Sequence, residues 1–297
     1  MNNSVKPTIA IIGAGKVGLA LAKLFSDSGF RVQLGVREIG TLSPLAKNLV
    51  NSSNNITISD NASAVVGTSI CILAVEDKSI QKVCDSLLDD FERNSIIAHC
   101  SGALDSSILE KAANSGHTVC SLHPLNTFPT IHAALDLFSN QQHNTSLYCE
   151  GNAAALTVCL PLFEQIGFRT IEISRRAKPL YHAACVFACN YLVSLTEISL
   201  KTADAAGLDR DEFWDSLQPL IQATLSNISN DGTAKALSGP IARGDAQTLR
   251  KHLSALGENN TTLQTSYRDL GQHALRLAKD RGELSKERIS ELEQLLQ

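Results

Sequence analysis

The stretch Thr8-Ile9-Ala10-Ile11-Ile12-Gly13-Ala14-Gly15-Lys16-Val17-Gly18 decides the fold. Thr8–Ile12 is a short, uninterrupted apolar run, the pattern of a strand buried on both faces. Lys16–Ser28 follows with Val17, Leu21 and Leu24 at helical spacing, and Gly29 ends it. Between them, Gly13, Gly15 and Gly18 spell G-x-G-x-x-G. A glycine motif alone is weak, but here it leaves a strand and opens a helix, as a dinucleotide site requires. Gly13 permits the tight turn, Gly15 lets the backbone approach a pyrophosphate, and Gly18 lets helix and strand pack closely. Ala14, Lys16 and Val17 complete the loop, whose free N–H groups and positive helix end favour phosphate.

Outward from this unit, short apolar runs alternate with amphipathic ones. Strands are expected at Arg31–Val36, Asn55–Ile58, Ser69–Val75, Ser95–His99 and Thr118–Leu122. Helices are expected at Leu42–Val50, Ser79–Phe91 and Ser106–Ser115. Such alternation predicts an α/β fold, a Rossmann-type doubly wound parallel sheet with helices on both faces. Thr145–Cys149, Ala153–Ile166 and Arg169–Ile173 add a strand–helix–strand unit at the sheet edge. After Ser174 the pattern becomes helical, over Pro179–Ala206, Arg210–Ile228, Ala246–Leu256 and Thr261–Arg281, with a last helix capped by Ser285. The expected division is therefore a dinucleotide-binding domain over 1–173 and an all-α C-terminal domain over 174–297, for substrate and dimerisation.

Composition agrees with two globular domains: 297 residues, 43% hydrophobic and 19% charged. A net charge of −4 without like-charge blocks gives no footprint for nucleic acid or an anionic membrane. The first residues do not read as a leader, and Lys16 and Lys23 interrupt the most apolar region, so no membrane span is expected. The eight cysteines contain no Cys-x-x-Cys pair, which predicts reduced core thiols in a cytoplasmic protein and no metal site.

The strand ends nominate further residues. Val36-Arg37-Glu38 closes the second strand, where an acidic residue would bind a ribose hydroxyl and an arginine a 2′-phosphate. Arg37 comes first and favours NADP(H), with NAD(H) open through Glu38. Ala74 and Val75, and Ser101 and Gly102, lie where strands end at the carboxyl edge, the ligand-binding side of such sheets. His123 follows another strand to that edge and is a candidate for substrate binding or acid–base work.

Taken jointly, IAIIGAGKVGLALA, HCSGALDSSIL, SLHPLNTFP, KPLYHAACVFACNYLVSL and LSGPIARGD resemble a family of bacterial proteins. Its members join a Rossmann-like domain to a domain of unknown function, number 2520. They resemble ketopantoate reductase, pyrroline-5-carboxylate reductase and F420-dependent NADP oxidoreductase. The resemblance implies an NAD(P)-linked reductase with a helical second domain that forms a homodimer, and some members serve as alternative ketopantoate reductases. It also places Lys178 where the relatives carry a catalytic lysine at the start of a helix. His182 stands where the relatives have asparagine.

Reducing a carbonyl by hydride transfer needs a donor for the developing alkoxide, which a lysine ammonium or protonated histidine supplies. Lys178 and His182 are four residues apart and share a helix face. Asn190, further along, is a candidate amide ligand. Gly239–Asp245 reads as a structured loop in which Arg243 suits a substrate carboxylate, or pairs with Asp245. Three functions follow: NADPH-dependent reduction of a small 2-keto acid, reduction of a cyclic imine, or a non-catalytic redox sensor that keeps the glycine loop alone.

Overall fold

The computed structural model describes residues 6–137 and 144–297. The expectation about a leader falls partly on Met1–Val5, outside the described residues. The chain divides into two compact units, the first ending at Cys189 and the second spanning Asn190–Gln297.

In the first unit, β1 (Ile9–Ile12) leads into α1 (Lys16–Asp27) and β2 (Val32–Val36). Then follow α2 (Pro44–Ser52), β3 (Ile56–Asp60), α3 (Asn61–Val65), β4 (Ile70–Leu73), α4 (Asp77–Ser86), β5 (Ile96–His99), α5 (Glu110–Asn114) and β6 (Thr118–Pro124). The remaining elements are α6 (Ile131–Leu137), β7 (Ser146–Gly151), α7 (Ala153–Gln165), β8 (Arg169–Glu172) and α8 (Lys178–Cys185). The sheet order is β3-β2-β1-β4-β5-β6-β7-β8, so the order reverses between β1 and β4, the place where open α/β sheets bind ligands.

Period-two burial explains why both faces are covered. Ile9 and Ile11 enter one apolar cluster with α1 and α7, while Ala10 and Ile12 enter the other with α3 and α4. Phe25 of α1 meets Phe163 of α7 edge-to-face at 5.3 Å, tying two helices over one face. Cys71, Cys84, Cys120, Cys149 and Cys159 are buried thiols within these layers.

The sheet departs from the all-parallel expectation at one pair: β7 runs antiparallel to β6. Its register places Ser121 opposite Glu150 and His123 opposite Tyr148. Gly151, at φ +138°, fixes the crossing, because a β-carbon there would stand 2.5 Å from Cys120 Cα. The division between units also falls later than residue 174. Ser174 caps a turn that leads into α8, and α8 packs on β6 and β7 through Lys178 and Tyr181.

The second unit comprises α9 (Tyr191–Ala205), α10 (Arg210–Ala236), α11 (Pro240–Arg243), α12 (Ala246–Asn259), α13 (Thr261–Arg281) and α14 (Lys286–Leu296). Leu249, Leu253, Leu275, Leu292 and Leu296 form its core. Ser285 caps α14 as expected, accepting from the Arg288 N–H. Gly239–Asp245 is a short helix rather than a loop, and Asp245 caps α12 through Thr248 instead of serving Arg243.

The expectation about membrane spans needs correction. The helical run Arg175–Ala205 reaches span length, with mean hydropathy 1.5 over an 18-residue window. No Asp, Glu, Lys or Arg occurs from Pro179 to Thr196, unlike the lysine-broken N-terminal helix. This is a statement of length and composition only.

Candidate functional site

The first part of the site is the glycine turn between β1 and α1. Gly13 sits at φ +110°, and a β-carbon there would lie 2.5 Å from the Ala74 carbonyl oxygen. Gly18 has no room either, since a β-carbon would overlap the Gly13 carbonyl. Gly15 differs from both: nothing lies within 4 Å of the place its β-carbon would occupy. It is the N-cap of α1, and no side chain caps the helix. An uncapped helix start facing open space beside a side-chain-free residue fits a pyrophosphate.

Ala74 and Val75 border this turn, with Ala74 N–H donating to the Ile12 carbonyl at 2.8 Å. Arg37 is exposed at the end of β2, close enough to Glu76 to help hold that carboxyl below its usual range, behind the larger effect of Lys78. The geometry thus leaves the Arg37 guanidinium accessible, as a 2′-phosphate ligand must be.

The second part forms where α8 crosses the ends of β5, β6 and β7. Ser121 and His123 project from one face of β6, two residues apart, and Glu150 and Tyr148 oppose them. Lys178 and Tyr181, three apart on α8, reach these two pairs. Lys178 Nζ donates to Ser121 Oγ and lies 3.8 Å from Glu150 Oε1, with both side chains almost fully buried (1% and 2% exposed). Tyr181 stacks on Tyr148 at 4.3 Å and its hydroxyl is 2.8 Å from His123 Nδ1. Burial, with Cys185 nearby, raises the Tyr181 pKa and keeps the phenol protonated. The phenol and His123 Nδ1 share one hydrogen bond, whose direction follows the imidazole tautomer.

His123 Nε2 and His182 Nδ1 converge beside Gly102. Both lie within 2.8 Å of the point a Gly102 β-carbon would occupy, so only glycine admits the two rings. His182 Nδ1 is buried with no hydrogen-bond partner among the described residues. A buried ring nitrogen without a partner beside a second ring nitrogen leaves hydrogen-bonding capacity unfilled, suited to a polar ligand atom. His123 is held neutral, its pKa pushed down to about 4 by burial first and by Lys178 and His182 after it. His99, at the end of β5, is pushed down to about 3 by burial and then by Lys178. It accepts from Ser101 N–H through Nδ1 and faces the Asp105 carbonyl through Nε2. Burial lowers the Lys178 pKa, and Glu150 opposes that shift most strongly.

The structure therefore brings together Lys178, His182, His123 and Gly102. Ser101 is adjacent, but its hydroxyl is committed, donating to Asp77 Oδ2 and accepting from Leu104 N–H. It shapes the loop rather than presenting a free donor. Asn190 and Arg243 belong to the second unit and are exposed. Arg243 lines a hollow with Arg281 and Arg288 there. Sequence reasoning missed Ser121, Glu150, Tyr148, Tyr181 and His99. For Ser121, Glu150 and Tyr148 the signal is alternation on two strands whose antiparallel register has to be known first; Tyr181 stands three residues after Lys178 on α8, and His99 ends β5.

A sheet whose order reverses at an uncapped glycine turn, with a titratable cluster at its carboxyl edge, defines an NADP-dependent oxidoreductase fold. Residues 8–102 match the family described as NADP oxidoreductase, coenzyme F420-dependent, and residues 145–274 match the domain of unknown function DUF2520. Each of the two matches covers less than half of the chain. No curated protein matches it. Among solved structures it is similar to a Thermotoga maritima protein at 24% identity, covering 93% of this chain and 100% of the other with a TM-score of 0.69. An imine reductase from Myxococcus stipitatus in complex with NADP+ is 18% identical over 98% of this chain and 100% of its own, at a TM-score of 0.64. A reductive aminase from Aspergillus terreus in complex with NADPH and ethyl levulinate is 15% identical over 99% of this chain and 100% of its own, at 0.63. At these identities the likeness is one of fold.

Proposed function

We propose that this chain is an NADPH-dependent reductase of a small 2-keto acid, with ketopantoate the named candidate. The observation that carries the reading is the buried Lys178 beside His99 and His123, both held neutral, at the carboxyl edge of the sheet. Gly13, Ala14, Gly15, Lys16, Val17 and Gly18 would hold the pyrophosphate, and Arg37 the 2′-phosphate. Ala74, Val75, Ser101 and Gly102 would flank the rest of the dinucleotide.

The bound dinucleotide supplies the hydride to the carbonyl carbon. Lys178 stabilises negative charge on the carbonyl oxygen and delivers the proton that completes the 2-hydroxy acid. His123 Nε2 and His182 Nδ1 orient the substrate. Asn190 is assigned as a further amide contact. Arg243 is assigned to the substrate carboxylate, supported by its exposure and by the two other arginines lining its hollow. The second unit is assigned to substrate binding and to a homodimer interface. In its support, the 27-residue α10 buries none of its residues and exposes Leu220 and Leu225.

Imine reduction is a second reading, favoured by fold neighbours named as an imine reductase and a reductive aminase. It fits Lys178 less well, because a protonated imine and an ammonium repel. Purified protein and NADPH, offered 2-keto acids and cyclic imines side by side, separate the two. Turnover of keto acids supports the proposal. Turnover of imines alone replaces it, and NADPH binding without any turnover points to a sensor.

A further inference from the structure

Lys178 is nearly inaccessible to water, and an ammonium buried without compensation gives up its proton. Several titratable groups face it. His99 from β5 and His123 from β6 are neutral and add no negative charge. Burial raises the pKa of the half-buried Cys100 thiol after β5, and a hydrogen bond with Cys159, then burial, raises that of Cys120 on β6, so both stay protonated. Asp105, in the loop after β5, is partly exposed and lies near Arg175. Among the described residues, Glu150 alone is a buried carboxylate in ion-pair range of Nζ, at 3.8 Å.

Glu150 is itself held. Ser106 donates to it twice, through its N–H to Oε1 at 2.7 Å and its hydroxyl to Oε2 at 2.8 Å. Arg175 Nε stands 3.7 Å from Oε2, and its guanidinium also donates to the Ser106 hydroxyl at 3.0 Å. The two Ser106 donors fix the orientation of the carboxylate. The β6–β7 register then places Glu150 opposite Ser121, the residue that receives the lysine.

We propose that Glu150 is a positioning residue for Lys178, holding the buried ammonium charged and aimed at Ser121, so that Lys178 and neither histidine is the proton donor. This rests on the reductase reading and deepens it. The Ser106–Glu150 pair is the device: one backbone N–H and one hydroxyl orient the carboxylate toward Lys178, while Arg175 competes for it from the other side.

The test titrates Lys178 directly, by NMR of protein carrying nitrogen-labelled lysine, and so needs no substrate. Glu150→Gln keeps the shape and removes the charge. It should lower the Lys178 titration midpoint by about one to three pH units, the usual effect of an opposite charge at this range. Glu150→Asp should restore much of it. Arg175→Met, which removes a half-exposed competing cation, should raise the midpoint by less than about one unit. An unchanged midpoint in a folded Glu150→Gln protein overturns the proposal. If that variant does not fold, an unchanged or lowered midpoint in Arg175→Met overturns it instead. Where a keto acid is turned over, the alkaline limb of kcat/KM should move down with the midpoint in Glu150→Gln while NADPH affinity stays constant. Normal turnover in Lys178→Ala would sink the reductase role of the lysine and leave the electrostatic result standing, so the two failures are distinguishable.

Discussion

Gly15→Val isolates the dinucleotide site from the fold that carries it. The backbone at Gly15 has φ −81° and ψ −168°, a region any residue adopts, and nothing lies within 4 Å of its β-carbon position. The substitution therefore meets no protein atom. Its expected cost is the N-cap preference for glycine over valine, below about 1 kcal/mol. Binding should respond quite differently. The valine side chain stands where the pyrophosphate approaches the helix start, so at least two charge-assisted contacts are lost at about 1.5–3 kcal/mol each. NADPH affinity should fall by a hundredfold or more. Fluorescence titration gives the affinity and a thermal melt gives the stability. Gly18→Ala is the control of opposite sign: its methyl overlaps the Gly13 carbonyl, so it should cost stability as an overpacked core site, about 1–3 kcal/mol or more. Normal NADPH affinity in a folded Gly15→Val protein would refute the placement of the dinucleotide.

Other substitutions read other parts of the site. Arg37→Ala should weaken NADPH binding about ten- to a hundredfold and leave NADH unaffected, and equal affinities in the unmodified protein would remove Arg37 from cofactor choice. Gly102→Ala should leave the backbone intact but push His123 and His182 apart. A displacement of about 1 Å at such a site costs on the order of a hundredfold in turnover, and full turnover would detach the histidines from catalysis. Acid should destabilise the first unit. His99 is held neutral to about pH 3 in the fold, whereas the unfolded chain takes up that proton near pH 6.5. Stability is then fully present above about pH 6.5 and is lost progressively as pH falls toward the folded value. His99→Asn should flatten that part of the pH–stability curve.

The glycine turn was legible in the sequence because all its information is local: strand, turn and helix are consecutive, and each glycine answers one contact. Ser285, Lys178 and His123 were legible for the same reason, as a cap, a helix start and a strand end. The antiparallel β7 was not, because Ser146–Gly151 has the same apolar alternation in either direction. That one direction decides who faces Lys178. Glu150 reads in isolation as a charged strand end next to a glycine, and only the β6–β7 pairing turns it into the partner of Ser121 and the lysine. The helices α3 and α6 escaped a periodicity reading through shortness, at five and seven residues.

Deuteride transfer tests the central claim most directly. NADPH deuterated at the reactive nicotinamide carbon is incubated with the protein and a 2-keto acid, and the product is read by mass spectrometry. The account predicts a 2-hydroxy acid bearing deuterium on the former carbonyl carbon. Formation should be abolished in Gly15→Val and cut about a hundredfold or more in Lys178→Ala with NADPH affinity retained. Absence of labelled hydroxy acid from every keto acid offered, in protein that binds NADPH, would contradict it.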